Sequence, residues 1–354
     1  MGIDLGDLVQ HRETTLASYA GRRLAIDAWN ILYQFLASIR QPDGTPLMDA
    51  QGRVTSHLAG TLYRTGSLVE AGIQPVFVFD GEPHPLKRAT LAERAMRKVE
   101  AQAAYEEAVA AGDFEKARSK AQQTSRLTSA MVEETRELLG ALGIPCIQAA
   151  GEGEAQAAQM AAKGQVAAAV SQDYDALLFG TPLLVRNLTV TGRRKLPGKQ
   201  VWVEVAPEEI PLAPSLEALG LSREQLVDAA ILIGTDFQPG VKGVGPKKAL
   251  ELIRKEGSLD ALLRRLAANP ASASSAAERA VAKQAGDLAE RDEVRRIFLE
   301  PPHAEAGDLT PRPLDAERVR RFMVDGRGFS PDRVEAALAR FQAARSRGTQ
   351  KTLF

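Results

Sequence analysis

The sequence predicts an α/β protein, with a mostly parallel central sheet flanked by helices, a helical insertion or arch, and an almost entirely helical part after residue 222. Three observations carry the class. Short apolar runs alternate with helix-period stretches, the pattern of strands joined by helical crossovers. Residues 86–136 abandon that alternation and become Ala-, Glu-, Lys- and Arg-rich. After residue 222 almost every segment has helical periodicity.

RLAID (23–27) reads as a strand, ILYQFLASI as a buried helix and VTSHLAGTLYRTGSLVEA as an amphipathic helix. PVFVFD is the second strand. The insertion follows, broken briefly at AGD (111–113). IPCIQ, QVAAAVSQD, PLLVRNL and QVWVEV then read as further core runs interleaved with helical stretches. REQLVDAAILIG leads as a helix into TDFQPGVKGVGPKKALELI, and two or more helices follow. ASASSAAERA (271–280) reads as a surface loop or a helix start, and RSRGTQKTLF as a tail with little to pack.

A chain of 354 residues can bury one large core or two modest ones. With 44% hydrophobic and 25% charged residues it has the composition of a globular protein. No run reaches the roughly 18 apolar residues of a membrane span. MGIDLGDLVQ lacks the pattern of a signal peptide, and Gly6 stands where myristoylation favours Ser or Thr. Cys146 is the single cysteine and cannot form an internal disulfide. A cytoplasmic location is expected. The net charge of zero excludes a global basic field. Basic residues instead gather locally, in 87–98, in 192–195 and in 242–248. Solvated helix faces account for part of them.

Seven acids occupy the places where an open α/β sheet builds its crevice. Asp27 closes RLAID and Asp80 closes PVFVFD. Asp173 and Asp175 follow VAAAV, Glu152 and Glu154 open a helix after IPCIQAAGEGE, and Asp236 precedes a glycine-rich turn. One acid at a strand end is more often a helix cap. The pairs say more. Glu152 and Glu154 gain from the helix macrodipole, and an extended segment would point Asp173 and Asp175 to one side. So many carboxylates repel one another strongly in a shared crevice. Divalent cations relieve that repulsion, and hard oxygen ligands select Mg²⁺ or Mn²⁺. Two cations about 3.5–4 Å apart suit the slow hydrolysis of a phosphodiester. Some of the acids then act through water. A metal-dependent nuclease is expected.

Lys87 and Arg94 are spaced two turns along one helix face. They would offer a point charge and a planar fork to a phosphate, although a solvated basic face gives the same pattern. GVKGVGPKKALELI places Gly240, Gly243 and Gly245 before Pro246, Lys247 and Lys248, with Lys242 in the turn. Glycines allow close backbone approach, and helix N-terminal amides bind phosphate. A plain tight turn is the alternative, and the P-loop spacing is absent. Tyr33 could stack on an unpaired base, though on an apolar helix a tyrosine is more often core. A DNA-gripping module that does not cut would be free to lack the acids or Lys87 and Arg94. A small-molecule phosphohydrolase would need neither the glycine turn nor the basic insertion.

At these residues the chain resembles the flap endonucleases of the structure-specific 5′-nuclease superfamily. The matching stretches are MGI, AIDAWNILYQFL, TSHLAGTLYRT, PVFVFDG, LKRATLAER, GEGEAQAA, SQDYDALLFG and LIGTDFQPGVKGVGPKKALELI, in order from residue 1 to about 256. The resemblance implies a two-Mg²⁺ site of Asp27, Asp80, Glu152, Glu154, Asp173, Asp175 and Asp236, with Mn²⁺ able to substitute. It makes Lys87 and Arg94 the contacts to the scissile phosphate and Tyr33 the stacking aromatic. It implies 5′ flap and exonuclease cleavage in replication and repair. The resemblance also implies a helix–two-turn–helix at 236–256 that grips duplex DNA with a bound K⁺ ion, its DNA contacts at Gly240, Lys242, Gly243, Gly245, Lys247 and Lys248. A 3′-flap pocket is implied near Thr55 and Ser56, with Arg64 beside it, and Gly2 lies close to the site.

The implied organisation is a nuclease part in 1–85, an arch in 86–136, a second nuclease part in 137–256, a helical part in 257–343 and a flexible tail in 344–354. In that tail Gln350, Leu353 and Phe354 resemble a sliding-clamp peptide, but the sequence stops at Phe354 before an aromatic doublet, so that either the natural chain ends in a shortened motif or it has been trimmed; a tail of no consequence is the alternative. A monomer is expected, and the Ala- and Arg-rich composition is archaeal-like.

Overall fold

Apolar runs that are buried on both faces must satisfy their backbone within a sheet, and here they pair as parallel neighbours. The structure is a computed structural model that describes residues 3, 5–41, 43–190, 193–195 and 202–350. It begins with β1 (Arg12–Glu13), β2 (Arg23–Asp27), α1 (Ala28–Ser38), α2 (Ser56–Glu70) and β3 (Gln74–Phe79). Then come α3 (Arg88–Ala110), α4 (Phe114–Gln123), α5 (Ser129–Ala141), β4 (Cys146–Gln148), α6 (Gly153–Ala162) and β5 (Ala168–Val170). The sheet region ends with α7 (Asp175–Leu178), β6 (Leu183–Arg186), β7 (Arg193–Lys195), β8 (Trp202–Glu204) and β9 (Glu208–Pro211). The helical part holds α8 (Leu212–Leu219), α9 (Arg223–Ile233), α10 (Pro246–Glu256), α11 (Leu259–Ala268), α12 (Ala276–Lys283) and α13 (Arg291–Leu299). It closes with α14 (Ala316–Arg320), a π-helix (Arg321–Asp325) and α15 (Pro331–Gln350).

The main sheet runs β1-β9-β6-β5-β2-β3-β4. From β6 to β4 every pairing is parallel, while β9 and β1 are antiparallel. The chain builds outward from β2 through β3 to β4, then crosses back to lay β5 on the other side of β2. That reversal is the topological switch point, where a crevice opens beyond the carboxyl ends of the strands. β2 and β3 fit because their residues are buried almost throughout.

Helices α3 and α4 fold back on one another. Ala101, Ala108, Ala117 and Ala121 are buried there, small side chains that let two helices approach. The core around β2, β3, α1 and α2 also takes in Val319, Met323, Val334, Leu338 and Phe341 from the end of the chain. Phe341 comes close enough to α2 that a Cβ on Gly66 would stand 3.2 Å from its ring.

Three expectations are corrected. Of QVWVEV, Gln200 and Val201 lie outside the described residues, and Trp202–Glu204 does not join the main sheet but pairs with Arg193–Lys195 as a separate antiparallel ribbon. The sheet ends in two antiparallel strands that the apolar pattern does not predict, β1 at the edge and β9 between it and β6; being short and polar, they carry no apolar signal. The C-terminal part is not helical throughout: residues 300–315 form an extended strap, held by Arg312 N–H to the Gly143 carbonyl at 2.9 Å. Among the described residues no helix is long and apolar enough to cross a membrane.

Candidate active site

The crevice collects all seven acids from five separate stretches of chain. Asp27 ends β2 and caps α1, accepting the Asn30 N–H at 3.0 Å, so the cap and the crevice share one side chain. Its other oxygen lies 3.3 Å from the Ser171 hydroxyl. Asp80, just past β3, accepts the Gly153 N–H at 2.7 Å. A Cβ on Gly153 would stand 2.6 Å from that carboxylate oxygen, which is why glycine separates Glu152 from Glu154. Glu154, in the first turn of α6, accepts the Ser171 hydroxyl at 2.6 Å. Asp173 accepts from the Asn30 side-chain amide at 3.1 Å, and Asp175 accepts the Ile3 N–H at 2.9 Å.

Asp173 and Asp175 do not share an extended segment, contrary to the expectation from their spacing. Asp173 lies in a bend after β5 and Asp175 opens α7, so a turn brings them together rather than strand alternation.

Charge follows from this crowding. Burial holds the Asp27 carboxyl well above the ordinary range, and the neighbouring Asp80 and Asp173 add to it. Glu154 is raised likewise by burial, then by Asp27, Asp173 and Asp175. Burial and Glu152 push Asp80 up to about 6, while burial, Asp173 and Asp236 push Asp175 up to about 7. The counter-charges within the cluster are Lys87, paired with Glu152 and 3.8 Å from Asp236, and Arg94, paired with Asp236. Burial works against the Lys87 ammonium, but Glu152, Asp236 and Asp80 outweigh it and raise its pKa.

The donor set fits hard divalent cations: every ligand atom on offer is a carboxylate oxygen, and burial followed by neighbouring acids raises the carboxyls of Asp27, Asp80, Glu154 and Asp175. Among the described residues no trio of acids or imidazoles closes into a ready-made metal cage. An ion that keeps several waters and takes one or two direct carboxylates, as Mg²⁺ does, needs none.

Lys87 and Arg94 both face the crevice, with one correction. Lys87 ends a 3-10 turn (Pro85–Lys87) ahead of α3, so the two do not share one continuous α-helical face. Tyr33 is half-buried rather than core. Lys98 of α3 lies 4.5 Å from its ring centroid and donates to its hydroxyl at 3.2 Å.

Gly240 (φ +72°) and Gly243 (φ +93°) take left-handed conformations, and Gly245 caps α10. Lys242, Lys247 and Lys248 are exposed. A cavity of about 370 Å³ lies here between Asp7, Leu8 and the start of α10 at Gly245, Pro246, Lys247 and Lys248. Thr55 is buried, and the Ser56 hydroxyl is committed inside the fold to the Ile39 carbonyl at 2.7 Å and the Leu47 N–H at 2.9 Å. Arg64 donates to the Thr189 carbonyl and, at 3.3 Å, to Ser38 Oγ. Gly2, Leu353, Phe354 and the Gln350 side chain lie outside the described residues.

Ser171, Asn30 and the Ile3 N–H are not singled out by the sequence pattern. All three lie within the matching stretches, but what they do is hydrogen bonding across tertiary contacts, which spacing does not announce.

A fold of this topology with an acidic crevice at its switch point defines the class of metal-assisted phosphoesterases. The XPG N-terminal domain matches residues 1–101 and the XPG I-region matches residues 143–236. Flap endonuclease 1 of Archaeoglobus fulgidus is 48% identical over 353 residues, covering 100% of this chain and 99% of that protein. The solved flap endonuclease-1 from Methanococcus jannaschii superposes with a TM-score of 0.75 at 39% identity, covering 98% of this chain and 100% of that one. The catalytic core of Rad2 in complex with DNA substrate gives 0.68 at 25% identity, covering 94% and 96%. The chain belongs to the flap endonuclease 1 family of XPG-type nucleases.

Proposed function

We propose that this chain is a Mg²⁺-dependent structure-specific 5′ flap endonuclease that also degrades DNA 5′ to 3′, in Okazaki fragment processing and repair. The observation that carries the reading is the convergence of seven acids, Lys87 and Arg94 at one switch point, in a chain 48% identical to an archaeal flap endonuclease 1 along its length.

Two Mg²⁺ ions, or Mn²⁺ in their place, held by Asp27, Asp80, Glu152, Glu154, Asp173, Asp175 and Asp236, would supply Lewis acidity and offset the charge of the phosphate. The remaining work falls to the chain's own groups. Lys87 and Arg94 exchange their carboxylate partners for oxygens of the scissile phosphate, where charge develops. Tyr33 offers its ring to the base beside the cut, a contact of about 1–3 kcal/mol. Ser171 and Asn30 hold Asp27, Glu154 and Asp173 against rotation. Gly240, Lys242, Gly243, Gly245, Lys247, Lys248 and the first amides of α10 take the duplex backbone.

The same reading makes the α3–α4 hairpin within 86–136 the arch for the single strand, between nuclease parts at 1–85 and 137–256. It places the 3′ flap near Thr55, Ser56 and Arg64, and a K⁺ ion within 236–256. It sends Gln350, Leu353 and Phe354 to a sliding clamp, the protein acting as a monomer at the cytoplasmic nucleoid.

The test is single-turnover cleavage of a 5′-labelled double-flap DNA with and without Mg²⁺, beside blunt duplex and free single strand. Metal-dependent release of one dominant product at the junction, with both controls nearly intact, is expected. Binding without cutting in Mg²⁺ and in Mn²⁺ would overturn the reading.

A further inference from the structure

A second charged cluster stands behind the carboxylates rather than among them. Arg186 ends β6, in register with Glu208 on β9. Its Nε donates to the Gln172 carbonyl at 3.0 Å. Its guanidinium lies 4.2 Å from the centroid of the Tyr174 ring and donates to the Tyr174 hydroxyl. Glu208 accepts from the same guanidinium at 3.0 Å. The other oxygen of Glu208 meets His11 Nδ1 at 2.8 Å, and His11 sets its ring edge-on to Tyr174.

We infer that Arg186 is a positioning residue for the carboxylate cluster. Gln172 and Tyr174 flank Asp173, and Tyr174 precedes Asp175. The stretch from Ser171 to Tyr174 belongs to no strand or helix; the Ser171 N–H still reaches the Val185 carbonyl at 3.3 Å, but the N–H groups of Gln172 and Asp173 donate to side chains rather than to a backbone ladder. Its orientation comes from two sides. Ser171 and Asn30 hold it from the crevice: the Ser171 hydroxyl accepts the Asp173 N–H at 3.2 Å, and the Gln172 N–H donates to the side-chain oxygen of Asn30 at 3.0 Å. Arg186 holds it from behind, gripping the carbonyl before Asp173 and the ring after it with one rigid plane.

A lysine there would keep the charge but forgo both the fork and the stack. The Arg186–Glu208 pair alone would explain little, because partly exposed ion pairs are worth about 0–1 kcal/mol. Groups that orient metal ligands from outside typically change metal affinity or activity by about 10–100-fold when removed.

The inference rests on the proposed function, and the experiment separates the two. Full-length wild type and Arg186→Lys are compared in three ways: Mn²⁺ affinity of the protein alone by calorimetry, flap affinity in Ca²⁺, and single-turnover cleavage in Mg²⁺ with enzyme in excess. For Arg186→Lys, Mn²⁺ affinity and cleavage rate are each expected to fall by roughly 10–100-fold with flap affinity unchanged. Tyr174→Phe, which keeps the ring and removes only its hydroxyl, should fall between the two.

An Arg186→Lys protein that melts lower yet binds Mn²⁺ and cuts as wild type does would make Arg186 a fold contact and sink the inference. Should that variant fail to fold, wild-type Mn²⁺ affinity in both Tyr174→Phe and Glu208→Gln would sink it equally. A wild type that binds Mn²⁺ but cuts no flap would overturn the proposed function and leave the Mn²⁺ comparison standing.

Discussion

Lys87 and Glu152 are ion-paired across the crevice although 65 residues separate them, and the same ammonium stands 3.8 Å from Asp236. A buried cation between two acids partly neutralises a site that also presents Asp80 and Asp175 with raised pKa values. A phosphate entering the crevice competes with carboxylates for a donor that is already desolvated and aimed. That exchange needs little reorganisation, which is where electrostatic stabilisation of a transition state is strongest.

Lys87→Ala should therefore lower single-turnover cleavage by about 10²–10³-fold, the effect of removing one aimed donor in a dry site. Flap affinity measured in Ca²⁺ should change far less. A loss confined to affinity would make Lys87 a tether for DNA and nothing more.

Asp175→Asn should abolish cleavage and stabilise the metal-free protein. The folded carboxyl titrates at about 7, above the ordinary value of about 4, so the folded state keeps a proton that the unfolded chain has lost in that interval. Its stabilising contribution is complete below the unfolded value and is lost as pH rises through about 7. Asparagine keeps the acceptor for the Ile3 N–H and removes the charge. Stability at pH 8 should rise by on the order of 1–3 kcal/mol, and the fall of stability between pH 5 and 8 should flatten. Denaturant titrations at several pH values, with chelator present, read both effects.

Gly153→Ala should uncouple folding from cutting. The added methyl would meet Asp80 Oδ1 at 2.6 Å, forcing the carboxylate away from the N-terminus of α6. Circular dichroism should report a folded protein while single-turnover cleavage drops by at least about tenfold. Wild-type cleavage would show that Asp80 has freedom to move.

Replacing Lys247 and Lys248 together by alanine should weaken flap and plain duplex binding alike, whatever the sequence. The log–log salt slope should flatten by about 0.9 for each phosphate that is no longer neutralised. An unchanged slope would remove the start of α10 from the DNA interface.

The strands that carry the site were legible because their burial is two-sided. RLAID and PVFVFD are unbroken apolar runs ending in an acid, and Asp27 and Asp80 stand at those ends. The pairing of Glu152 with Glu154 was legible too, since a helix start follows a glycine-rich stretch. Asp173 and Asp175 were found for a reason that failed: their convergence depends on a bend into α7, a turn that two-residue spacing does not encode. β1 and β9 were hidden because short polar strands obey pairing geometry rather than hydrophobic pattern. The strap of residues 300–315 was hidden for a related cause. Its Ala306 and Leu309 are buried singly, without a period, against a surface that only the folded sheet provides.

The order in which the chain closes its core bears on its synthesis. Asp27 leaves the ribosome more than 200 residues before Asp236, and the core around β2 and β3 still lacks Val334, Leu338 and Phe341 at that point. Contacts so distant in sequence form late. A polypeptide that ends before residue 334 thus carries all seven acids but lacks the α15 side chains that complete the core around β2 and β3.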